Sequence, residues 1–322
     1  SPVSRIAEMS GEGNMTVRRI DLKRMERMLR LYKIPEVTHI AVDEVYTRKK
    51  KKGDKEDRDE RFFTIITDLK TRRVIWVSES RKKKALDEFF QILGKARCRS
   101  IAVVAIDQHD AYAKSVTEHC KNAKIVWDKF HILKNFGEAA NETRKNLHNW
   151  LGPKDPLYRM TKGKYRFTFL KRESKRTTKE QRHIDDVVDA NKDFATVEII
   201  KERMLTFFDA QTESEAQETL IEIGRWIREK VRPGEKVVDQ SQLAFDPLWK
   251  WWKNLESGWE TLKNYFQFRV TSALAEGTNN VIKSLKRRSF GFRNMDYFRL
   301  KIMQVCGYLN SRYIKFPEVL GT

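Results

Sequence analysis

Two aspartates stand inside apolar runs that would not ordinarily tolerate them. Asp43 interrupts the stretch His39 to Val45 (HIAVDEV), and Asp107 ends the stretch Ile101 to Ile106 (IAVVAI). A carboxylate in such a run is costly unless it faces a cleft, a partner or a cation, so each position asks for a chemical reason. If the two strands are parallel neighbours, their carboxyl ends open on one crevice and both acids face it. Carboxylates that close repel unless a cation lies between them. A set of oxygen ligands selects Mg²⁺ or Mn²⁺ over zinc. The competing use of Asp at a strand end is a turn or a helix cap. Glu44 and Asp110 are rival ligands and rank below the pair.

The elements that would position these acids follow from hydrophobic periodicity. After the Asp43 strand, Phe62 to Thr67 (FFTIIT) and Val74 to Val77 (VIWV) complete a meander. A helix is expected over Lys84 to Leu93, with Leu86, Phe89, Phe90 and Leu93 on one face, then the Asp107 strand, a helix over Ala111 to His119 and a short strand over Ile125 to Trp127. Ahead of the meander, SRIAEM, the turn SGEGN and a helix over residues 15 to 32 read as helix, turn, helix. The second helix has Met25, Met28, Leu29 and Tyr32 at helical spacing and carries Arg18, Arg19 and Lys23. It suits a DNA groove, or it is a basic amphipathic helix packed on the next domain.

From about 135 to 265 the pattern is helical, with six of the eight tryptophans, so an all-α insertion is expected there. Its Pro and Gly breaks mark helix ends rather than a linker. Beyond Leu274 a further helix, a break at Gly291 and a last helix over Met295 to Leu309 close the chain.

Sixty-five Lys and Arg against 45 Asp and Glu leave a net charge of +20 and a pI near 9.8, which points to a polyanionic partner, nucleic acid. The basic-acidic run Arg48 to Arg61 reads as a solvated hairpin tip rather than a specific DNA contact. Cys98, Cys120 and Cys306 form no CxxC pair, so no zinc ribbon or disulfide framework is visible and a reducing cytosol suits them. Apolar runs are too short for a membrane span or a secretory signal. The chain begins at Ser1 rather than Met, which leaves room for an upstream piece removed or never included.

HIAVDEV, VAIDQHDAYA, DKFHILK and EGTNNVIKSLKRRSFGFRN, in this order and around a helical stretch, resemble the bacterial DDE transposases of the insertion-sequence L-three (ISL-three) family. The resemblance covers nearly the whole chain. It implies a ribonuclease H-like α/β core, a mixed sheet with flanking helices, interrupted by the all-α insertion and preceded by the helix-turn-helix-like segment. The corresponding boundaries are 1–34, 35–134, 135–265 and 266–322. It further implies metal-dependent DNA cleavage at insertion-sequence ends and strand transfer into target DNA by two ions on Asp43, Asp107 and Glu276. On its own Glu276, in a basic helix, reads as a surface ion-pair partner. Complete members carry an N-terminal cysteine-rich zinc module, of which these residues hold nothing.

Further roles follow from the same motifs. Lys283, two turns beyond Glu276, is placed to bind a phosphate, and Asn279, Asn280, Lys286 and Arg287 to touch DNA; the asparagines alternatively serve the helix end. Asp128 and His131 match an Asp-x-x-His pattern implied to support the active site; alternatively the histidine stabilises the start of a long helix. Trp249 and Trp252 are candidates to stack on an unpaired base, although tryptophans at such spacing more often form core. Paired cutting of two ends implies a homodimer or larger assembly on DNA, at the nucleoid in the bacterial cytoplasm. A ribonuclease H-type nuclease that cuts without joining, and a non-catalytic DNA-binding regulator, are the other readings. The long insertion argues against the first and the intact acids against the second.

Overall fold

The computed structural model describes residues 3–47, 58–235, 240–270, 273–289, 292, 294–310, 312 and 314, with the backbone alone at 240–241 and 273–276. Most of the Arg48 to Arg61 run and the Gly291 break therefore lie outside the described residues. Two compact units result: Ser1–Ile125 with Ser272–Thr322, and Val126–Thr271.

The first unit begins with helices α1 (Val3–Ser10) and α2 (Asn14–Leu31). Strands β1 (His39–Tyr46), β2 (Phe62–Asp68) and β3 (Arg73–Glu79) follow, then α3 (Lys83–Leu93), α4 (Lys95–Arg99), β4 (Val103–Ile106), α5 (Asp110–His119) and β5 (Lys124–Trp127). The strands form one mixed sheet in the order β3-β2-β1-β4-β5. The meander pairs antiparallel, Asp43 opposite Ile65, whereas β1 and β4 run parallel, with Ile40 opposite Val104 and Ala41 opposite Ala105. The β-branched runs suit these positions because both faces of the inner strands are covered.

Alternation along the strands sorts two layers. Val45, Phe63, Ile65 and Val77 join a core with Met25 and Met28 of α2 and with Ile282, Phe298, Leu300 and Met303 from the two helices over Ala273–Arg288 and Met295–Cys306. On α2 the apolar stripe is thus spent on packing: Met25 and Met28 are fully buried, and Tyr32 Oη donates to the Ile75 carbonyl at 2.8 Å. Asp21 accepts from Tyr297 Oη at 2.7 Å and pairs with Lys301 at 2.6 Å, while Arg18 lies 4.8 Å from the Tyr297 ring centre. Of the two readings open for this helix, the packed amphipathic one describes its inner face. Arg19 and Lys23 remain exposed on the outer side.

Beyond β5 the second unit contains helices and loops and no strand among its described residues. It comprises α6 (Lys129–Trp150), α7 (Leu157–Met160), α8 (Arg166–Leu170), α9 (Thr178–Ala190), α10 (Lys192–Phe207), α11 (Glu213–Trp226), α12 (Asp246–Ser257), α13 (Trp259–Leu262) and α14 (Asn264–Phe268). The chain then returns to the first unit with α15 (Ala273–Arg288) and α16 (Met295–Cys306).

In the helical unit Trp252 is buried at 1% exposure and lies so close over Gly224 that a Cβ there would come within 2.7 Å of its ring. Trp251 packs against Phe136 with the rings tilted and their centres 4.8 Å apart. Trp252→Ala is therefore expected to destabilise this unit by about 3–5 kcal/mol, a cavity cost that urea denaturation would register. A change within about 0.5 kcal/mol would mean the ring is not core.

Candidate active site

β1 carries Asp43 into the middle of the sheet, and its parallel pairing with β4 sets what lies beside it. The register His39–Val103, Ile40–Val104, Ala41–Ala105 continues by two residues to Asp43 and Asp107, level on adjacent strands at their carboxyl ends. Both aspartates are half-buried. Asp43 Oδ1 accepts from the Glu44 backbone N–H at 2.7 Å, and its Oδ2 accepts from Asn279 Nδ2 at 2.6 Å.

The rival acids are otherwise engaged. Glu44 points to the opposite face, as strand alternation requires, and takes Arg81 at 3.1 Å. Arg81 is also held by Asp59 at 2.7 Å and lies over the Phe62 ring. Next to Glu44 the buried Tyr112 hydroxyl shares a 2.7 Å hydrogen bond with Thr64. Burial and then the negative charges of Glu44 and Asp107 push that hydroxyl well up, so it stays protonated. Asp110 is exposed in the first turn of α5, where a carboxylate complements the helix dipole.

Helix α15 docks on β1 by one face. Asn279 meets Asp43, Ile282 is fully buried in the core, and Lys286 Nζ donates to the Tyr46 carbonyl at 3.0 Å. Position 276 lies one turn before Asn279 and about 60° round the helix from it. The Glu276 side chain is outside the described ones. Two carboxylates level in a parallel sheet and an amide beside them make an oxygen donor set of the kind that hard divalent cations prefer. The residues therefore fit a divalent cation.

Another acidic group, Asp87, Glu118 and His119, has ligand atoms within 4.8 Å of one another. Lys83 already fills it, with Nζ 2.8 Å from Asp87 and 2.6 Å from Glu118. Burial alone would raise Asp87, but hydrogen bonds from Lys83 and Ser115 outweigh it and hold that carboxyl below its usual range. It is a closed ion-pair network, separate from the acids of β1 and β4.

Residues 40–302 match the family described as Transposase, of the DDE, ISL-three type. The chain belongs to the ISL-three family of DDE transposases. The matched span runs from β1 through α15 into α16. The transposase for insertion sequence element IS1001 of Bordetella parapertussis is 25% identical over 310 residues, 94% of this chain and 69% of that protein. The transposase for insertion sequence element IS1557 of Mycobacterium tuberculosis is 28% identical over 120 residues, 37% of this chain and 25% of that protein. Among the described residues no helix of this transposase is long and apolar enough to cross a membrane.

The remaining candidates of the transposase divide by exposure. Asn280, Lys283 and Arg287 are exposed along α15 and Arg19 and Lys23 along α2. Arg18 and Lys286 are engaged within the protein, and Lys286 lies 5.5 Å from the Tyr46 ring centre. Trp252 corrects the expectation of base stacking: sealed over Gly224, it offers no face to a nucleotide. Trp249 is half-buried, with Arg232 and Lys253 at 5.9 and 5.6 Å from its ring centre. Asp128 caps α6, accepting from Phe130 N–H at 3.1 Å and meeting His131 Nδ1 at 2.7 Å, the helix-start arrangement. The link from Asn279 to Asp43 is not foreseen from sequence, where the asparagine reads as a DNA ligand or a helix-end residue. No spacing signal marks a partner so distant in the chain.

Proposed function

We propose that this transposase cuts DNA at insertion-sequence ends and joins the freed 3′ ends to target DNA, with Asp43, Asp107 and Glu276 holding two Mg²⁺ or Mn²⁺ ions. The observation that carries this reading is the β1–β4 register, which levels Asp43 with Asp107 beside the helix that bears position 276. When bound, the ions supply activation of the attacking oxygen and charge stabilisation at the leaving oxygen. The acids keep those ions in place, and no covalent protein nucleophile is needed. Lys283, exposed two turns beyond position 276, supplies a cation for the phosphate next to them.

In this reading the sheet and α15–α16 form a ribonuclease H-like core, the helical unit is its insertion, and α1–α2 stand ahead of it as a DNA-contacting segment. Asp128 and His131 fix the first turn of that insertion. Exposed Asn280, Arg287, Arg19 and Lys23 contact the DNA backbone. Two copies assemble on a pair of ends, at the nucleoid in the bacterial cytoplasm.

The test is a labelled duplex carrying the element's end, incubated with purified protein and Mg²⁺ or Mn²⁺. Nicked and joined products, both dependent on metal, are expected. Nicks without joining would leave a nuclease, and tight binding without cutting would leave a regulator.

A further inference from the structure

We infer that Asn279 is a positioning residue of the divalent-cation site, holding Asp43 through its amide nitrogen and presenting its amide oxygen to the ion's hydration shell. This rests on Asp43 and Asp107 being cation ligands. The orientation of the amide is set by chemistry: an ionised carboxylate only accepts, so the 2.6 Å contact runs from Nδ2 to Asp43 Oδ2. The same side chain's Oδ1 is then left out of the contact with Asp43. That oxygen is buried and receives no hydrogen bond among the described residues. A buried amide acceptor without a donor is uncommon in folded proteins and calls for a reason.

Neither packing nor helix propensity supplies that reason. Asn is a poor residue for a helix interior, where its side chain competes with the backbone. At 7% exposure on the α15 face toward β1, burying an amide rather than an apolar group carries a desolvation cost. What the amide does supply is a second donor to Asp43, whose other oxygen already has the Glu44 N–H. Both oxygens are thereby oriented before any ion arrives. The bare Oδ1, attached to the same carbon as the donating nitrogen, offers an acceptor to water that enters with a cation. An outer-shell partner of this kind changes metal affinity by about 10–100-fold when removed.

The experiment is Mn²⁺ titration of the 322-residue chain without DNA, read by the paramagnetic resonance signal of free Mn²⁺, for wild type, Asp107→Asn, Asn279→Ala and the near-isosteric Asn279→Leu. Thermal unfolding of each protein is measured beside it. Both Asn279 variants are expected to fold with a Tm near wild type and to bind Mn²⁺ at least about tenfold more weakly. Wild-type Mn²⁺ affinity in both folded variants would overturn the inference. Failure of both to fold would overturn it too, by assigning Asn279 to packing alone. If Asp107→Asn binds Mn²⁺ as wild type does, the reading of the acids as cation ligands is what fails, whatever the Asn279 variants show.

Discussion

Asp107→Asn is expected to abolish metal-dependent nicking and joining of a duplex carrying the element's end, with a loss on the order of a thousandfold or more, while DNA binding stays at or slightly above wild type. The substitution keeps size but turns one acceptor oxygen into an amide donor and removes one of the two charges that the β1–β4 register places side by side. Losing that charge weakens the hold on any cation between the strands. It also removes a repulsion toward phosphate, which is why binding is not expected to fall. Gel-shift titration and a cleavage assay on the same preparation separate the two quantities. Parallel loss of cutting and binding would assign Asp107 to structure. Unchanged cutting would remove it from the site.

A second large effect is expected from salt. With 65 basic and 45 acidic side chains, the protein is expected to engage DNA chiefly by neutralising phosphates and releasing their counterions. If roughly 6–10 phosphates are neutralised, affinity for a duplex should fall by about 10³–10⁵ between about 50 and 200 mM salt. Replacing exposed Arg19 and Lys23 by Gln should reduce the slope of log affinity against log salt by about one unit for each phosphate that is no longer neutralised. A binding curve indifferent to salt would contradict an electrostatic interface. An unchanged slope in the double variant would take α2 out of it, leaving its packing on α16 as its whole role.

Much of the core is legible in the sequence for a simple reason. β1, β2 and β3 are short β-branched or aromatic runs between polar turns, α3 has a clean apolar stripe, and their bounds agree with the periodicity to within a few residues. The membership in the ISL-three transposases is legible too, because the acids stand in motifs rather than alone. Adjacency is what periodicity does not carry. That β4 lies beside β1, and in the register that levels Asp43 with Asp107, depends on tertiary pairing. Likewise nothing in the residue type tells a stacking tryptophan from a core one. Trp252 is core because Gly224, on another helix, leaves room for its ring. The same holds for Asn279, whose amide meets a strand 236 residues away.

That separation has a consequence for how the protein comes into being. The helical unit between β5 and α15 is built from residues near one another in sequence and can collapse as soon as its own stretch is synthesised. The unit that bears the acids cannot, because its first strands must wait for α15 and α16 to emerge before Val45 and Ile65 gain Ile282 and Phe298 as neighbours. Chain synthesis thus imposes an order, with the acid-bearing sheet closed last and across the longest loop. A nascent or truncated chain that ends before Ala273 holds Asp43 and Asp107 and neither of the closing helices, so under the function proposed above its metal-binding centre is still incomplete.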